Sequence, residues 1–179
     1  NDGRSHRLAG DVLLEGMTHP AAINISLQGE PTEWHKGALV AWLSLPAMRL
    51  DAWLPRSDVA GIGLRQVTGG GEFWLHFTRG RLMALQARPR LSQAVFHSRH
   101  GNHVLNSVRG ELAWARTDKG WTLSAQHLAA QVDNIAWPAS ALAIADNSGE
   151  LTLAVAGLEV APAAVLLNRL PLRAGLAVW

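Results

Sequence analysis

The chain of 179 residues carries a formal net charge of +2, is 48% apolar and only 17% charged, and contains no cysteine. That composition is too apolar for disorder and low in charge for a free-standing cytosolic domain, so part of the apolar surface is expected to meet a partner or ligand. It also excludes disulfides, thiolate metal sites and thiol catalysis. The arginines are spread without a block of like charges, which excludes a nucleic-acid footprint.

In chain order, the opening NDGRSHRLAG lacks the apolar core of a signal peptide, and no apolar run approaches the roughly 18 residues that span a bilayer. Any export or anchoring signal is therefore expected outside this stretch. Early strands are predicted at residues 10–14, 22–28 and 38–45. Leu50 to Leu54, ahead of Pro55, predicts a short helix capped by Asp51. GGGEFWLHFTRGRLMAL follows. Phe73, Leu75 and Phe77 alternate with Glu72, Trp74, His76 and Thr78, Arg79-Gly80 reads as a turn, and Arg81 to Ala87 reads as the returning strand. A second hairpin runs from Gly110 to Arg116 and, after Thr-Asp-Lys-Gly, from Trp121 to Gln126. Leu112 and Trp114 are answered there by Trp121 and Leu123. In the segment from Gly149 to Val155, Leu151, Leu153 and Val155 share a face, and a second short helix with Pro162 in its first turn is predicted at residues 161–168. GALVAWLSLPAMRLDAWLP and GELTLAVAGLEVAPAAVLLNRLP share the order Gly, strand, short apolar segment, helix, Pro. This order is either a weak internal repeat or a chance likeness of two amphipathic strands.

The chemical motifs are weak. A P-loop needs Gly-x4-Gly-Lys-Ser/Thr, but Gly69 to Gly71 run into Glu72 and Phe73 and read instead as a flexible turn entering a strand. Gly61-Ile-Gly63 supplies two glycines of a dinucleotide fingerprint, with Gln66 in the third position. His97, His100 and His103 could approach one metal ion on a turn, but their spacing matches no usual zinc pattern, and solvated loop histidines are the expectation. No serine sits in a nucleophile elbow. Asp11, Asp51, Asp58, Asp118, Asp133 and Asp146 mostly fall where a carboxylate serves a turn or cap. Asn24-Ile-Ser26 matches a glycosylation sequon inside an alternating strand.

Three stretches together, LSLPAMRLDAWLP, GGGEFWLHFTRGRLMALQARPRL and VRGELAWARTDKGWTLSAQHLAAQVDNIAWPAS, resemble the YhdP branch of the AsmA-like proteins, relatives of TamB in Gram-negative envelopes. The likeness rests on Leu50, Trp53 to Pro55, Gly71 to Leu85, Gly110, Leu112, Trp114, Gly120, Trp121, Leu123, Trp137 and Pro138. In that pattern the Trp-Pro pair closes a strand, and the likeness spans about residues 37–172. The resemblance implies a segment of a longer chain, anchored in the inner membrane and crossing the periplasm as a curved β-sheet whose apolar groove carries phospholipids towards the outer membrane. The Phe96 to His103 stretch has no counterpart in it.

The expected fold is therefore all-β, a mainly antiparallel and strongly twisted sheet forming a groove, with one or two short helices, as a single segment over residues 1–179. The expected lining is Phe73, Leu75, Phe77, Leu112, Trp114, Trp121, Leu123, Leu151, Leu153 and Val155, with Trp74 on the alternative face. Phospholipid acyl chains are the expected partner, with no cofactor, metal, catalysis or nucleic acid. Both membranes would be reached through parts of the chain not present here. A β-sandwich scaffold whose apolar face is covered by protein is the alternative of a different class, and a metal-dependent hydrolase on the three histidines is the enzymatic one.

Overall fold

The computed structural model describes residues 5–13, 17–50, 63–98, 101–132 and 135–157. They form one nine-stranded antiparallel sheet whose strands lie side by side in chain order. The strands are β1 (Ser5–Val12), β2 (Ala21–Gln28), β3 (Ala38–Arg49), β4 (Gly63–Thr78), β5 (Arg81–Ser98), β6 (Gly101–Arg116), β7 (Gly120–Val132), β8 (Ile135–Asn147) and β9 (Glu150–Ala156). The predicted all-β antiparallel class holds. Apart from Leu50, whose N–H donates to Val67 O at 2.7 Å, the short helices expected at residues 50–54 and 161–168, and with them the helical half of the proposed repeat, lie outside the described residues. The helix that is described, a 3-10 segment at Pro31–Lys36 between β2 and β3, was not expected.

A meander of this kind follows from short turns, because two-residue hairpins can only join antiparallel neighbours. Arg79 and Gly80 have φ of 51° and 69°, and Ser148 and Gly149 have φ of 59° and 93°. Two consecutive positive values match the right-handed twist of the flanking strands, which is why Gly follows a tolerant polar residue in both turns. In the second turn the Asp146 carboxylate accepts the Gly149 N–H at 2.9 Å, the backbone role expected of that aspartate. Arg79 N–H also donates to Gly37 O at 2.9 Å, tying the β4–β5 turn to the loop before β3.

The three glycines behave differently from the sequence reading. They lie in the middle of β4, paired to β5 through Gly69↔Leu91, Gly70↔Arg90 and Gly71↔Pro89. Space explains them. A Cβ on Gly70 would overlap the carbonyl oxygens of Leu45 and Pro46, and one on Gly69 would sit 2.7 Å from Arg90 O. At this height β3 skips from Leu45 to Met48, so the bulged strand leans on β4 and only hydrogen fits beneath it.

That irregularity belongs to a band. Register shifts also fall between Thr68 and Gly69, around Arg109, and between Ala125 and Ala130, while Ser107 and His127 take φ of 54° and 51°. Ser92 Oγ donates to Thr68 O at 3.1 Å inside the band. Ser140, buried there, accepts from Trp137 Nε1 at 2.8 Å and donates to Leu128 O at 3.4 Å. Pro138 therefore lies within β8 and does not close it, because the bulge region tolerates a residue without an N–H. Bulges bend strands and increase their twist, and these shifts fall at one height of the sheet.

Candidate apolar track

Below the band, as far as the irregularity between His76 and Phe77, the register runs on across all nine strands, and directly opposed residues share a face. One row runs Leu8, Ile25, Ala41, Leu75, Leu85, Trp114, Leu123, Ile144 and Leu153, from β1 to β9. The row beside it runs Gly10, Ile23, Leu43, Phe73, Ala87, Leu112, Ala125, Leu142 and Val155. Neither row contains a polar side chain. At a strand spacing of about 4.8 Å, eight gaps make each row roughly 38 Å long.

The opposite face reads differently at the same height. Ala9, Asn24, Trp42, Trp74, Gln86, Ala113, Ser124, Ala143 and Ala154 form its row. Next to it Glu72 opposes Arg88, whose Nε bonds Glu111 Oε1 at 3.1 Å, and the Arg88 guanidinium lies 5.4 Å from the Trp74 ring centroid. A shallow cavity of about 270 Å³ opens there, lined by Trp74, Gln86, Arg88, Glu111 and Gln126 among others.

All ten residues expected to line an apolar face lie on one face. Phe73, Leu112 and Val155 share one row, and Leu75, Trp114, Leu123 and Leu153 the other. Phe77 opposes Leu39 and Leu82, and Trp121 and Leu151 flank Asp146 at the hairpin end. Trp74 lies on the other face. Leu8, Ile23, Ile25, Leu27, Leu43, Leu85, Leu142 and Ile144 extend the apolar face beyond the expected set. The signal was present for Ile23, Ile25 and Leu27, and for Leu142 and Ile144, as period-two alternation. It was broken for Leu82 and Leu85 because an irregularity between His76 and Phe77 puts three positions between two residues of one face.

Most of these side chains are half-buried, covered only by lateral neighbours. Towards β9 the cover fails, and Leu151, Leu153 and Val155 are 68%, 53% and 45% exposed. At the other end Leu8 is 63% exposed. Among the described residues no second layer packs on this face, since each strand contacts chiefly its neighbours in the sheet.

In the described part of the histidine stretch β5 pairs with β6, with Phe96 opposite His103 and His97 opposite Asn102. His103 is not a solvated loop residue. It is 6% exposed within β6, because the strand extends to Gly101 and carries it into the sheet. His100 and the side chain of His97 lie outside the described residues, and among those that are described no group of three His, Cys, Asp or Glu is placed to hold a metal.

Among the described residues the chain is an antiparallel meander with exposed edge strands, one face carrying two wholly apolar rows and the other a mixed row of Ala, Trp and polar residues, which places it among extended β-sheet proteins. The chain belongs to the YhdP protein family, whose model matches residues 1–178. Comparison with curated proteins and with solved structures finds no match. No helix among the described residues is long and apolar enough to cross a membrane.

Proposed function

We propose that this chain is a non-enzymatic, periplasmic segment of an inner-membrane-anchored lipid-transfer protein, and that phospholipid acyl chains travel along its apolar face between the two membranes. The observation that carries the reading is the pair of nine-residue rows without a polar side chain, on which no second layer packs among the described residues. An acyl chain cannot satisfy a polar group, so such a track requires backbone hydrogen bonds closed within the sheet. The continuous ladder supplies them. Each methylene removed from water contributes about 0.8 kcal/mol, so a chain of a dozen carbons is held without any headgroup contact even when half covered. The rows, roughly 38 Å long, exceed the roughly 15 Å of hydrocarbon in one leaflet, so a lipid can shift along them while remaining in contact.

The test is a photo-crosslinking amino acid placed at Leu123 and, separately, at Ser124, in cells and on the purified chain. Lipid adducts are expected from position 123 and not from 124. Protein adducts alone from position 123 would mean that another protein layer covers the face, as in a β-sandwich scaffold, and would overturn the reading.

A further inference from the structure

Just inside the irregular band, the polar face carries a row that its neighbours do not explain. Gly70 opposes Arg90, Arg90 directly opposes Arg109, and Arg109 opposes Ala129. Both arginines are exposed, and β5 and β6 pair here in continuous register, so the two side chains leave the same face as Arg88 and Glu111. Like charges directly across an antiparallel pair are unfavourable, with Cβ atoms about 5 Å apart. One row down the same strands alternate sign, Glu72 against Arg88 against Glu111. At Arg90 and Arg109 no such compensation is present. Among the described residues neither guanidinium makes an ion pair or side-chain hydrogen bond.

The two flanks of the pair differ. On the Arg109 side the neighbour is the small Ala129; on the Arg90 side the Leu45 and Pro46 carbonyls fill the space over Gly70, and a notch of about 370 Å³ bordered by Ser44, Pro46, Gly71 and Glu72 reaches Arg90 alone. We propose that Arg90 and Arg109 together form a phosphate-binding site on the polar face. A carboxylate has two oxygens and is satisfied by one guanidinium fork, whereas a phosphate has enough oxygens to accept from two forks at once and relieves their repulsion. Glu72, on the rim of the notch, disfavours a second negative group on that side, so the ligand is a single phosphate group and not a polyanion. This site is separate from the apolar track and does not depend on it.

The phosphate could belong to a lipid headgroup or be free. Binding to the chain is measured by calorimetry at low salt, with inorganic phosphate in one arm and the water-soluble phosphodiester glycerophosphoglycerol in the other, so that no acyl chain contributes. Arg90→Gln, Arg109→Gln and the double variant are compared with wild type. The expected result is saturable binding of at least one probe, weakened about tenfold or more in each single variant and lost in the double. The preferred probe identifies the source. A thermal arm keeps the test independent of probe choice: without phosphate Arg109→Gln should melt at or above wild type, and adding the bound probe should reverse that order. Equal responses of wild type and double variant to both probes, or a response that tracks ionic strength alone and marks an adventitious ion only, would overturn the site.

Discussion

The two faces of this sheet are built by the same strands, share every backbone hydrogen bond, and differ only in the odd or even position of each side chain. At one height the apolar face runs Leu75, Leu85, Trp114, Leu123 and the polar face Trp74, Gln86, Ala113, Ser124. An ordinary half-buried sheet shows the same alternation, but its apolar side is covered by a second layer. Here the described residues provide none, and the edges at Leu8 and at Leu151 to Val155 are the barest places on it. The difference teaches that amphipathic alternation measures which face avoids water and does not say what it meets instead.

The sharpest way to break the comparison is to move one charge between the faces. Leu112→Asp sets a carboxylate on the apolar row, where desolvation costs several kcal/mol or forces protonation, so lipid recovered with the chain should fall roughly a hundredfold. Ala113→Asp, one position along the same strand, should change recovery by less than about twofold, because the side chain projects to the polar face. Lipid mass spectrometry on equally expressed, folded variants reads the contrast. Equal losses would mean the faces are not functionally distinct, and the reverse order would put the track on the Trp74 face.

A second comparison sets the band against the regular block. Gly70→Val should destabilise the chain by about 3 kcal/mol, because the new side chain meets the Leu45 and Pro46 carbonyls. Gly10→Ala, where nothing lies within 4 Å, should stay within about 0.5 kcal/mol. Denaturant melts measure both, and a tolerated Gly70→Val would show that β3 can lift off β4.

On the polar face alone, Arg88→Met removes the stacking on Trp74 and the bond to Glu111. Both ionic side chains are more than half exposed, so the loss should be only about 1 kcal/mol, and a double-mutant cycle with Glu111→Gln should show coupling below that. A larger coupling would mean that this face is covered after all.

The smallest effect belongs to the Pro31–Lys36 segment. Glu33 is held below its ordinary value by the 2.7 Å hydrogen bond from Lys36 and by the charge of that ammonium. A lowered folded-state pKa contributes stability above the ordinary carboxylate range, which is lost as pH falls through the folded value. Lys36→Met should therefore return the Glu33 titration to the ordinary range by NMR without a measurable change in melting at neutral pH, since both side chains are exposed. An unchanged Glu33 titration would show that the pair does not persist in solution.

What the sequence by itself determined is local. Period-two alternation at Phe73 to Phe77, Leu112 to Trp114, Trp121 to Leu123 and Leu151 to Val155 fixed strands and the sharing of a face within each. Arg79-Gly80 was readable as a turn, and its two positive φ values fit a tight hairpin. These signals lie within a few residues, so they are readable without knowing any partner. What the tertiary structure alone decided is how the pieces align: that four separately written apolar faces fall into common rows, that Gly69 to Gly71 sit in mid-strand because β3 bulges over them, that Leu82 and Leu85 join the apolar face across an irregularity, that His103 is buried, and that Arg90 stands against Arg109. Each of these depends on the register between strands, and register is set by the summed fit of a whole face and by where bulges insert an extra residue, a quantity spread over two chains of residues and written in neither alone.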